Sequence, residues 1–222
     1  MSAVIIGASG GIGAALAEAL EEEGQTVLRL SRPEIDLTDE ASIAAASRRA
    51  RTPELVPELV IVATGILHDG GHGPEKALGE LDPAWLARQY AINTIGPALV
   101  AKHFLPTMPR SGRSIFAVLS ARVGSIGDNR VGGWHGYRAS KAALNQLIRT
   151  IAIEDKRRND RGIVVALDPG NVDTKLSTPF QQSGRDLFTP ARAAVQLLDV
   201  IDGFTPRDSG RLFSWDGAEI TP

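Results

Sequence analysis

Six short apolar runs, separated by longer helix-like segments, constrain the fold of this chain more than any other feature. The runs are "AVII" (3–6), "TVLRL" (26–30), "ELVIVA" (58–63), "SIFAVL" (114–119), "GIVVAL" (162–167) and "GRLFSW" (210–215). Helix-like patterns cover 11–23, 39–51, 83–104, 137–158 and 190–201. Strands that are buried on both faces read as continuous apolar runs, and their alternation with helices is typical of a parallel sheet. The sequence therefore predicts one α/β domain over residues 1–222, with a doubly wound Rossmann-type sheet of about six strands.

One further strand-like segment, "EIDL" (34–37), follows the second run too closely to be its parallel neighbour. A parallel crossover needs about a dozen residues or more, usually with a helix, and only a short stretch separates Leu30 from Ile35. We predict that this segment crosses the carboxyl edge of the sheet as a loop or a vestigial strand. The expected strand order is 2-1-4-5-6-7. The number 3 denotes the segment 34–37, which is left out of the sheet.

Composition excludes several classes of function. The 222 residues are 43% hydrophobic and 23% charged, as in soluble globular proteins, and the net charge of -2 gives no basic field for nucleic acid. The absence of cysteine excludes disulfides, thiolate metal sites and cysteine nucleophiles. The start "MSAVIIGASGG" lacks the features of a signal peptide, and no apolar run reaches about 18 residues. We expect a cytoplasmic protein with no nucleic-acid or membrane partner.

Two histidines in "LHDGGHG", His68 and His72, invite a metal interpretation. Three glycines in this segment break any helix, and no third ligand with a fitting spacing is evident. We predict no metal site, and a loop at the rim of a cleft.

The first strand leads directly into a glycine-rich turn and a helix, in "VIIGASGGIGAALAEAL" (4–20). Gly7, Gly11 and Gly13 are spaced G-x-x-x-G-x-G. Glycine permits a sharp turn, close approach of a diphosphate and tight packing of the helix on the strand. The helix N-terminus adds free N–H groups and a positive dipole. A glycine-rich turn without a ligand is the alternative, but the first strand–helix junction of an α/β chain favours a dinucleotide site.

A second pattern, "YRASK", places Tyr137 and Lys141 four residues apart, on one face of a helix. A phenol has an ordinary pKa of about 10, which is too high for a base at neutral pH. A nearby lysine cation lowers that pKa, so that Tyr137 can exchange a proton with a carbonyl or an alcohol. The spacing alone arises by chance, and it gains weight only because it follows the glycine loop.

"GASGGIG" together with "YRASK", in this order and across almost the whole chain, resembles the short-chain dehydrogenase/reductase family. The C-terminal "GRLFSWDGAEI" resembles small members related to C-factor and carbonyl reductases. The resemblance implies a protein that binds NAD or NADP and oxidises alcohols or reduces carbonyl compounds. In the loop it implies cofactor contacts from Gly7, Ser9, Gly11, Ile12 and Gly13.

The end of the second strand bears on the choice between the two cofactors. An acid at this position would bind the ribose hydroxyls of NAD and repel the 2′-phosphate of NADP. Ser31 stands there instead, followed by Arg32, whose guanidinium can pair with a 2′-phosphate. A solvated arginine on a loop is the alternative. We expect NADP, with NAD as the second choice.

The resemblance also assigns the rest of the cofactor site. Asp36 and Leu37 resemble an Asp-Val pair that contacts the adenine, and "ATGIL" (63–67) stands where the family has Asn-Ala-Gly. The segment "DPGNVDT" (168–174) resembles the Pro-Gly segment, where Val172 and Thr174 would hold the nicotinamide carboxamide. The implied cofactor-binding residues are Asp36, Leu37, Ala63, Gly65, Pro169, Gly170, Val172 and Thr174, together with Tyr137 and Lys141.

The same resemblance implies four catalytic residues. Tyr137 would transfer the proton, Lys141 would tune Tyr137, and Asn93 in "INTIGP" would support a proton-relay water. For the serine that orients the carbonyl, counting along "VLSARVGSIG" leaves Ser120 and Ser125 open. We expect Ser120, because a hydroxyl at a strand end is held more rigidly than one on a loop.

Specificity for a small-molecule carbonyl or alcohol is expected in "KLSTPFQQSGRDLFTP" (175–190), which reads as a lid and contains Phe180 and Phe188. The resemblance also implies a homodimer or homotetramer, assembled through the two long helices near 83–104 and 137–158. A cofactor-binding regulatory or signalling protein of the same fold, with little turnover, is the alternative function.

Overall fold

The computed structural model describes residues 2–52, 55–180 and 187–221, and its centre is one seven-stranded sheet. The strands are β1 Ser2–Ile6, β2 Thr26–Leu30, β3 Leu59–Val62, β4 Ser114–Leu119, β5 Gly162–Asp168, β6 Leu212–Ser214 and β7 Glu219–Ile220. Their order is β2-β1-β3-β4-β5-β6-β7. The first six are parallel, and β7 is antiparallel to β6. This is the doubly wound Rossmann-type sheet that the sequence predicts.

In the described part of the chain, six α-helices cover the two faces of this sheet. They are α1 Gly11–Glu22, α2 Glu40–Arg49, α3 Pro83–Tyr90, α4 Gly96–Phe104, α5 His135–Asp155 and α6 Pro190–Gly203. Successive strand side chains point to opposite faces, so Val4 packs with α2, α4 and α5, while Ile5 packs with α1 and α6. Within the described ranges, no helix is long and apolar enough to cross a membrane.

Two predictions about strands have different outcomes. Residues 31–38 form no strand, so "EIDL" lies outside the sheet as expected. The strand β7 was not predicted, because two residues are too short to give an apolar run. It forms an antiparallel hairpin arm in which Ile220 pairs with Leu212.

The helix predicted over 83–104 is not continuous, and in this respect the prediction is wrong. A single π-helical turn, Ala91–Ile95, separates α3 from α4. Such turns insert one residue into the helical repeat and are frequent at functional sites. Here the turn contains Asn93, which is fully buried. The next helix begins at Gly96, where a Cβ atom would lie 2.7 Å from Cβ of Leu37.

The contact between β1 and α1 depends on Gly13, and this gives a first prediction. A Cβ atom there would lie 2.2 Å from the carbonyl oxygen of Gly7. We expect Gly13→Ala to lower the free energy of unfolding by about 1–3 kcal/mol, because the backbone must shift to relieve the overlap. Urea unfolding of the cofactor-free protein measures this change. Gly203→Ala is the control, since nothing lies within 4 Å of its Cβ position, and equal stability of the two variants would contradict the prediction.

Candidate active site

Two neighbouring clefts lie at the carboxyl ends of the strands, and together they contain most of the predicted site residues. The first cleft has a volume of 410 Å³ and is lined by Gly7, Ser9, Ser31, Arg32, Asp36, Leu37, Ala63 and Gly65, among others. The second cleft has a volume of 680 Å³ and is lined by Ile12, Ser120, Tyr137, Pro169, Gly170, Val172 and Thr174, among others. Gly13, Asn93 and Lys141 are buried behind these walls, whereas Gly11 is exposed and lies beside Thr174.

The glycine loop between the two clefts fits a diphosphate. Gly7 has a φ of +90°, and a Cβ atom there would lie 2.8 Å from the carbonyl oxygen of Ala63. The N-cap of α1, Gly10, offers no side chain to the helix, and its first turn contains no acidic residue. The N–H groups and the positive end of the helix dipole are therefore available to an anion. Gly11 approaches Thr174, whose Cγ2 would lie 3.0 Å from an added Cβ.

Beyond the glycine loop, the first cleft contains two arginines. Arg32 follows the end of β2, as the sequence predicts, and Arg88 reaches the cleft from α3. Arg88 donates from Nε to Oδ2 of Asp69 at 2.7 Å, and this pair forms the outer wall. Sequence reasoning missed Arg88, because an arginine on a helix carries no motif and only the fold brings it opposite β2.

Asp36 is fixed in this cleft by its own neighbours. Its Oδ1 accepts hydrogen bonds from the N–H of Thr38 at 2.8 Å and from Oγ1 of Thr38 at 2.7 Å. The hydrogen bond from the Thr38 hydroxyl, with that from the backbone, lowers the pKa of Asp36 below its usual value. The carboxylate is therefore ionised at neutral pH and its orientation is set.

The N-terminus of α5 positions Tyr137, and a buried carboxylate holds that end of the helix. Oε2 of Glu75 accepts a hydrogen bond from the N–H of Gly136 at 3.0 Å. Trp134, with a φ of 53°, directs the chain into the helix. A negative group at a helix N-terminus is stabilised by the free N–H groups and the dipole. The tyrosine ring is consequently fixed in the wall of the second cleft, only 8% exposed.

Lys141 is buried behind Tyr137. Its Nζ donates to the carbonyl oxygen of Leu119 at 2.9 Å and lies 5.8 Å from the centre of the tyrosine ring. Burial lowers the pKa of Lys141 to about 8, and the Asp168 carboxylate opposes this change. Burial and, to a smaller extent, the charge of Asp168 raise the pKa of Tyr137 well above its usual value. Without cofactor, the phenol is therefore protonated and can act as a proton donor.

Asp168 is a site residue that sequence reasoning missed. It ends β5, lines the second cleft and accepts a hydrogen bond from the N–H of Arg122 at 3.1 Å. Burial raises the pKa of its carboxyl group. An acid immediately before the Pro-Gly pair, at the end of a buried strand, was the available signal.

Asn93 links three elements through its amide. Its Oδ1 accepts from the N–H of Ile66 at 2.8 Å, and its Nδ2 donates to the carbonyl oxygen of Ile66 at 2.9 Å. The same Nδ2 lies 3.1 Å from Oγ of Ser140 on α5. The π turn thereby fastens the segment after β3 to the helix that contains Tyr137 and Lys141.

The two candidate serines lie in different places. Ser120 follows β4 and lines the second cleft with Tyr137, and its hydroxyl donates to Oδ1 of Asn145 at 2.6 Å. Ser125 donates to the carbonyl oxygen of Thr221 and lines a different cavity. The geometry therefore favours Ser120. Asn145 was not among the predicted residues, although it lies two helical turns after Tyr137 on the same helix.

Aromatic side chains form the outer part of the second cleft. Trp134 and Phe180 meet with ring centres 5.8 Å apart, and Phe188 and Trp215 with ring centres 4.7 Å apart. Phe180 and Phe188 belong to the predicted lid, of which residues 181–186 lie outside the described part of the chain.

The two histidines of the loop before α3 have separate neighbours. His68 lies against Phe180 and reaches the carbonyl oxygen of Lys175 at 3.2 Å, whereas His72 stacks on Trp85. In the described ranges, no three residues of the metal-binding types form a cluster.

Comparisons with known proteins agree with this geometry. A family model described as enoyl-(acyl carrier protein) reductase matches residues 7–199. The chain is 37% identical over 145 residues to the C-signal protein of Myxococcus xanthus, covering 65% of this chain and 82% of that protein. It is 29% identical over 228 residues to 1-hydroxy-2-glutathionyl-2-methyl-3-butene dehydrogenase of Rhodococcus sp. (strain AD45), covering 96% of both.

Solved structures give the same result for the fold. Carbonyl reductase Sniffer of D. melanogaster superposes with a TM-score of 0.80 at 21% identity, covering 100% of this chain and 99% of that chain. The NADPH-bound carbonyl reductase from chicken fatty liver gives a TM-score of 0.78 at 23% identity, covering 100% and 94%. With the family match and the two motifs, the chain belongs to the short-chain dehydrogenase/reductase family of oxidoreductases.

The burial of Lys141 predicts a dependence of stability on pH. Its pKa is about 8 in the folded protein against an ordinary 10.5, so between these values only the unfolded chain binds the proton, and stability rises with pH. We expect wild type to gain about 1–3 kcal/mol relative to Lys141→Met between pH 8 and 10. Above pH 10, the raised pKa of Tyr137 acts in the opposite direction. Urea unfolding at several pH values measures the difference, and identical pH slopes would refute the prediction.

Proposed function

We propose that this protein is an NADP-dependent oxidoreductase that reduces a ketone or aldehyde, or catalyses the reverse oxidation of the alcohol. The observation that carries this proposal is the second cleft. Ser120 and Tyr137 line it together, and Lys141 is buried behind the tyrosine. When bound, the nicotinamide supplies the hydride that the carbonyl carbon receives. The chain supplies the orientation of the substrate and the proton.

In this proposal Tyr137 is the general acid. Its raised pKa keeps the phenol protonated at neutral pH, and it gives that proton to the carbonyl oxygen as the C–H bond forms. Lys141, as a cation, stabilises the phenolate that remains. Ser120 donates a hydrogen bond to the same carbonyl oxygen. Asn93 fixes the surrounding segments and supports the water through which the phenolate regains its proton.

The preference for NADP rests on charge in the first cleft. Ser31 leaves the end of β2 without an acid, and Arg32 brings a guanidinium group to the same wall as Arg88, whose own guanidinium group is bound to Asp69. Guanidinium groups form strong charge-assisted hydrogen bonds with phosphate. The carbonyl reductase from chicken fatty liver, which has this fold, is described with NADPH bound. NAD remains the second choice of cofactor.

For the substrate, the aromatic rim of the second cleft favours carbonyl compounds with a large apolar part. We further propose one cytoplasmic domain that assembles as a homodimer or homotetramer through the faces of α3, α4 and α5. Ile95, at the end of the π turn between α3 and α4, and Ile153 on α5 support this assembly, because they are large apolar side chains that are about half exposed.

The role of Tyr137 can be tested sharply because the chain contains only two tyrosines. We expect Tyr137→Phe to lower kcat for carbonyl reduction by about 10²–10⁴-fold, because the general acid is lost. NADPH binding, followed by cofactor fluorescence, should persist. Tyr90→Phe is the matched control, and it should retain wild-type kcat. Wild-type activity in Tyr137→Phe would overturn the proposed function.

The role of Arg32 gives a separate prediction. We expect Arg32→Ala to raise the KM for NADPH by about 10–100-fold, because a charge-assisted hydrogen bond contributes about 1.5–3 kcal/mol. The KM for NADH should stay near its wild-type value. Arg48→Ala removes the same charge from an exposed position on α2 and serves as the control. Parallel changes for both cofactors would exclude a contact with the 2′-phosphate.

A second candidate function has one observation in its favour. The relative that is 37% identical to this chain is named C-signal, so a cofactor-binding signalling protein with little turnover remains the alternative. Consumption of NADPH with a panel of apolar ketones and aldehydes separates the two functions. Tight NADPH binding without turnover on any compound would favour the signalling protein.

A further inference from the structure

The hydrogen bond between Ser120 and Asn145 has a direction that conflicts with substrate binding. The Ser120 hydroxyl donates to Oδ1 of Asn145 at 2.6 Å. Nδ2 of Asn145 is buried, and it has no hydrogen-bond partner among the residues that the structure describes. A hydroxyl has one proton to donate and two lone pairs to accept with. If Ser120 is to donate that proton to a carbonyl oxygen, Asn145 must release it.

The amide of Asn145 can release the proton without losing its contact. A half-turn about the Cβ–Cγ bond exchanges Oδ1 and Nδ2, and Nδ2 then donates to Oγ of Ser120. In either orientation the amide makes one hydrogen bond to Ser120. The number of hydrogen bonds between the two side chains is thus the same in both, so that a carbonyl oxygen in the second cleft can decide between them.

We propose that Asn145 is the positioning residue of Ser120, and that it reverses their hydrogen bond when a carbonyl compound binds. In the free protein the amide accepts the serine proton. In the complex it donates to the serine oxygen, and the serine proton points to the substrate. A hydroxyl that accepts one hydrogen bond becomes a better donor of another, because neighbouring bonds polarise each other. This inference rests on the proposed carbonyl reduction.

A variant that can only accept tests the reversal. An ionised aspartate has the shape of asparagine but no proton to donate, so Asn145→Asp should keep the Ser120 proton away from the carbonyl. We expect its kcat at pH 8 to fall by about 100-fold, as for loss of an oxyanion donor, while the KM for NADPH is unchanged. Asn145→Ala frees the serine proton, so its kcat should fall by less than about tenfold.

The pH profile separates this effect from a structural one. Lowering the pH protonates the introduced carboxyl group, which then can donate to Ser120, so Asn145→Asp should recover activity relative to wild type. The titratable and charged groups around this position are Tyr137, Lys141 and Arg149 on α5, Arg122 after β4, Asp168 on β5, and Arg211 and Glu219 at β6 and β7. Asn145→Ala retains all of these groups. The ratio of kcat for Asn145→Asp to kcat for Asn145→Ala at each pH therefore reports the effect of the introduced carboxyl group alone.

Gln146→Glu is the control for charge, since it adds a carboxylate at the next position of α5, where the wild-type side chain is bonded to Thr150 instead of Ser120. We expect it to keep wild-type kcat. Ser120→Ala should lose activity, and adding either Asn145 variant to it should cause no further loss. If Asn145→Asp is unstable, the comparison of Ser120→Ala with the double variant Ser120→Ala/Asn145→Ala still tests the proposal.

Three results would overturn the inference. They are equal kcat values for Asn145→Asp and Asn145→Ala at every pH, a tenfold loss in Gln146→Glu, or a further loss when Asn145→Ala is added to Ser120→Ala. Failure of the proposed function itself looks different, because Tyr137→Phe would then keep its activity whatever the Asn145 variants do.

Discussion

The paired hydrogen bonds between Asn93 and the backbone of Ile66 fix the position of the first cleft relative to the second. They join the π turn to the segment that follows β3, and a third bond reaches Ser140 on α5. Because Asn93 and Ser140 are fully buried and Ile66 is partly buried, losing one partner would leave polar groups unpaired with little access to water. The wall of the first cleft and the helix that bears Tyr137 are therefore fixed by one side chain.

Electrostatics in the second cleft oppose ionisation of Tyr137 in the absence of a cofactor. Burial, and after it the Asp168 carboxylate, raises the pKa of Tyr137, and burial lowers that of Lys141. A positive nicotinamide ring beside these groups, as in the oxidised cofactor, would reverse the field at the phenol. Strongly perturbed ionisable groups in a cleft are typical of catalytic sites. On this view the phenol is protonated and acts as the acid of carbonyl reduction, and it acts as a base only with oxidised cofactor bound.

Sequence reasoning succeeded where the relevant residues are neighbours along the chain. The glycine loop and the Tyr137–Lys141 pair each lie within one turn, so spacing alone predicts their geometry. It failed where contacts join distant segments. Arg88 and Asn145 carry no motif, and the pattern of 83–104 reads as one continuous helix although a π turn divides it. The choice of serine lies between these two cases. Counting along the sequence left Ser120 and Ser125 open, and only the contact of Ser125 with Thr221 in the folded chain separates them.

The two clefts differ in what builds them, and this bears on how function is distributed over the chain. The first cleft is shaped largely by backbone, with glycines at positions where a Cβ atom would collide, so it depends on the fold itself. The second cleft is shaped by side chains from the segments after β4 and β5, whose rigid base is Ser120, Tyr137 and Lys141. Changes in its aromatic rim can alter the substrate without disturbing that base or the cofactor cleft. We therefore expect the cofactor site to depend on the fold, and substrate choice to depend on these loops.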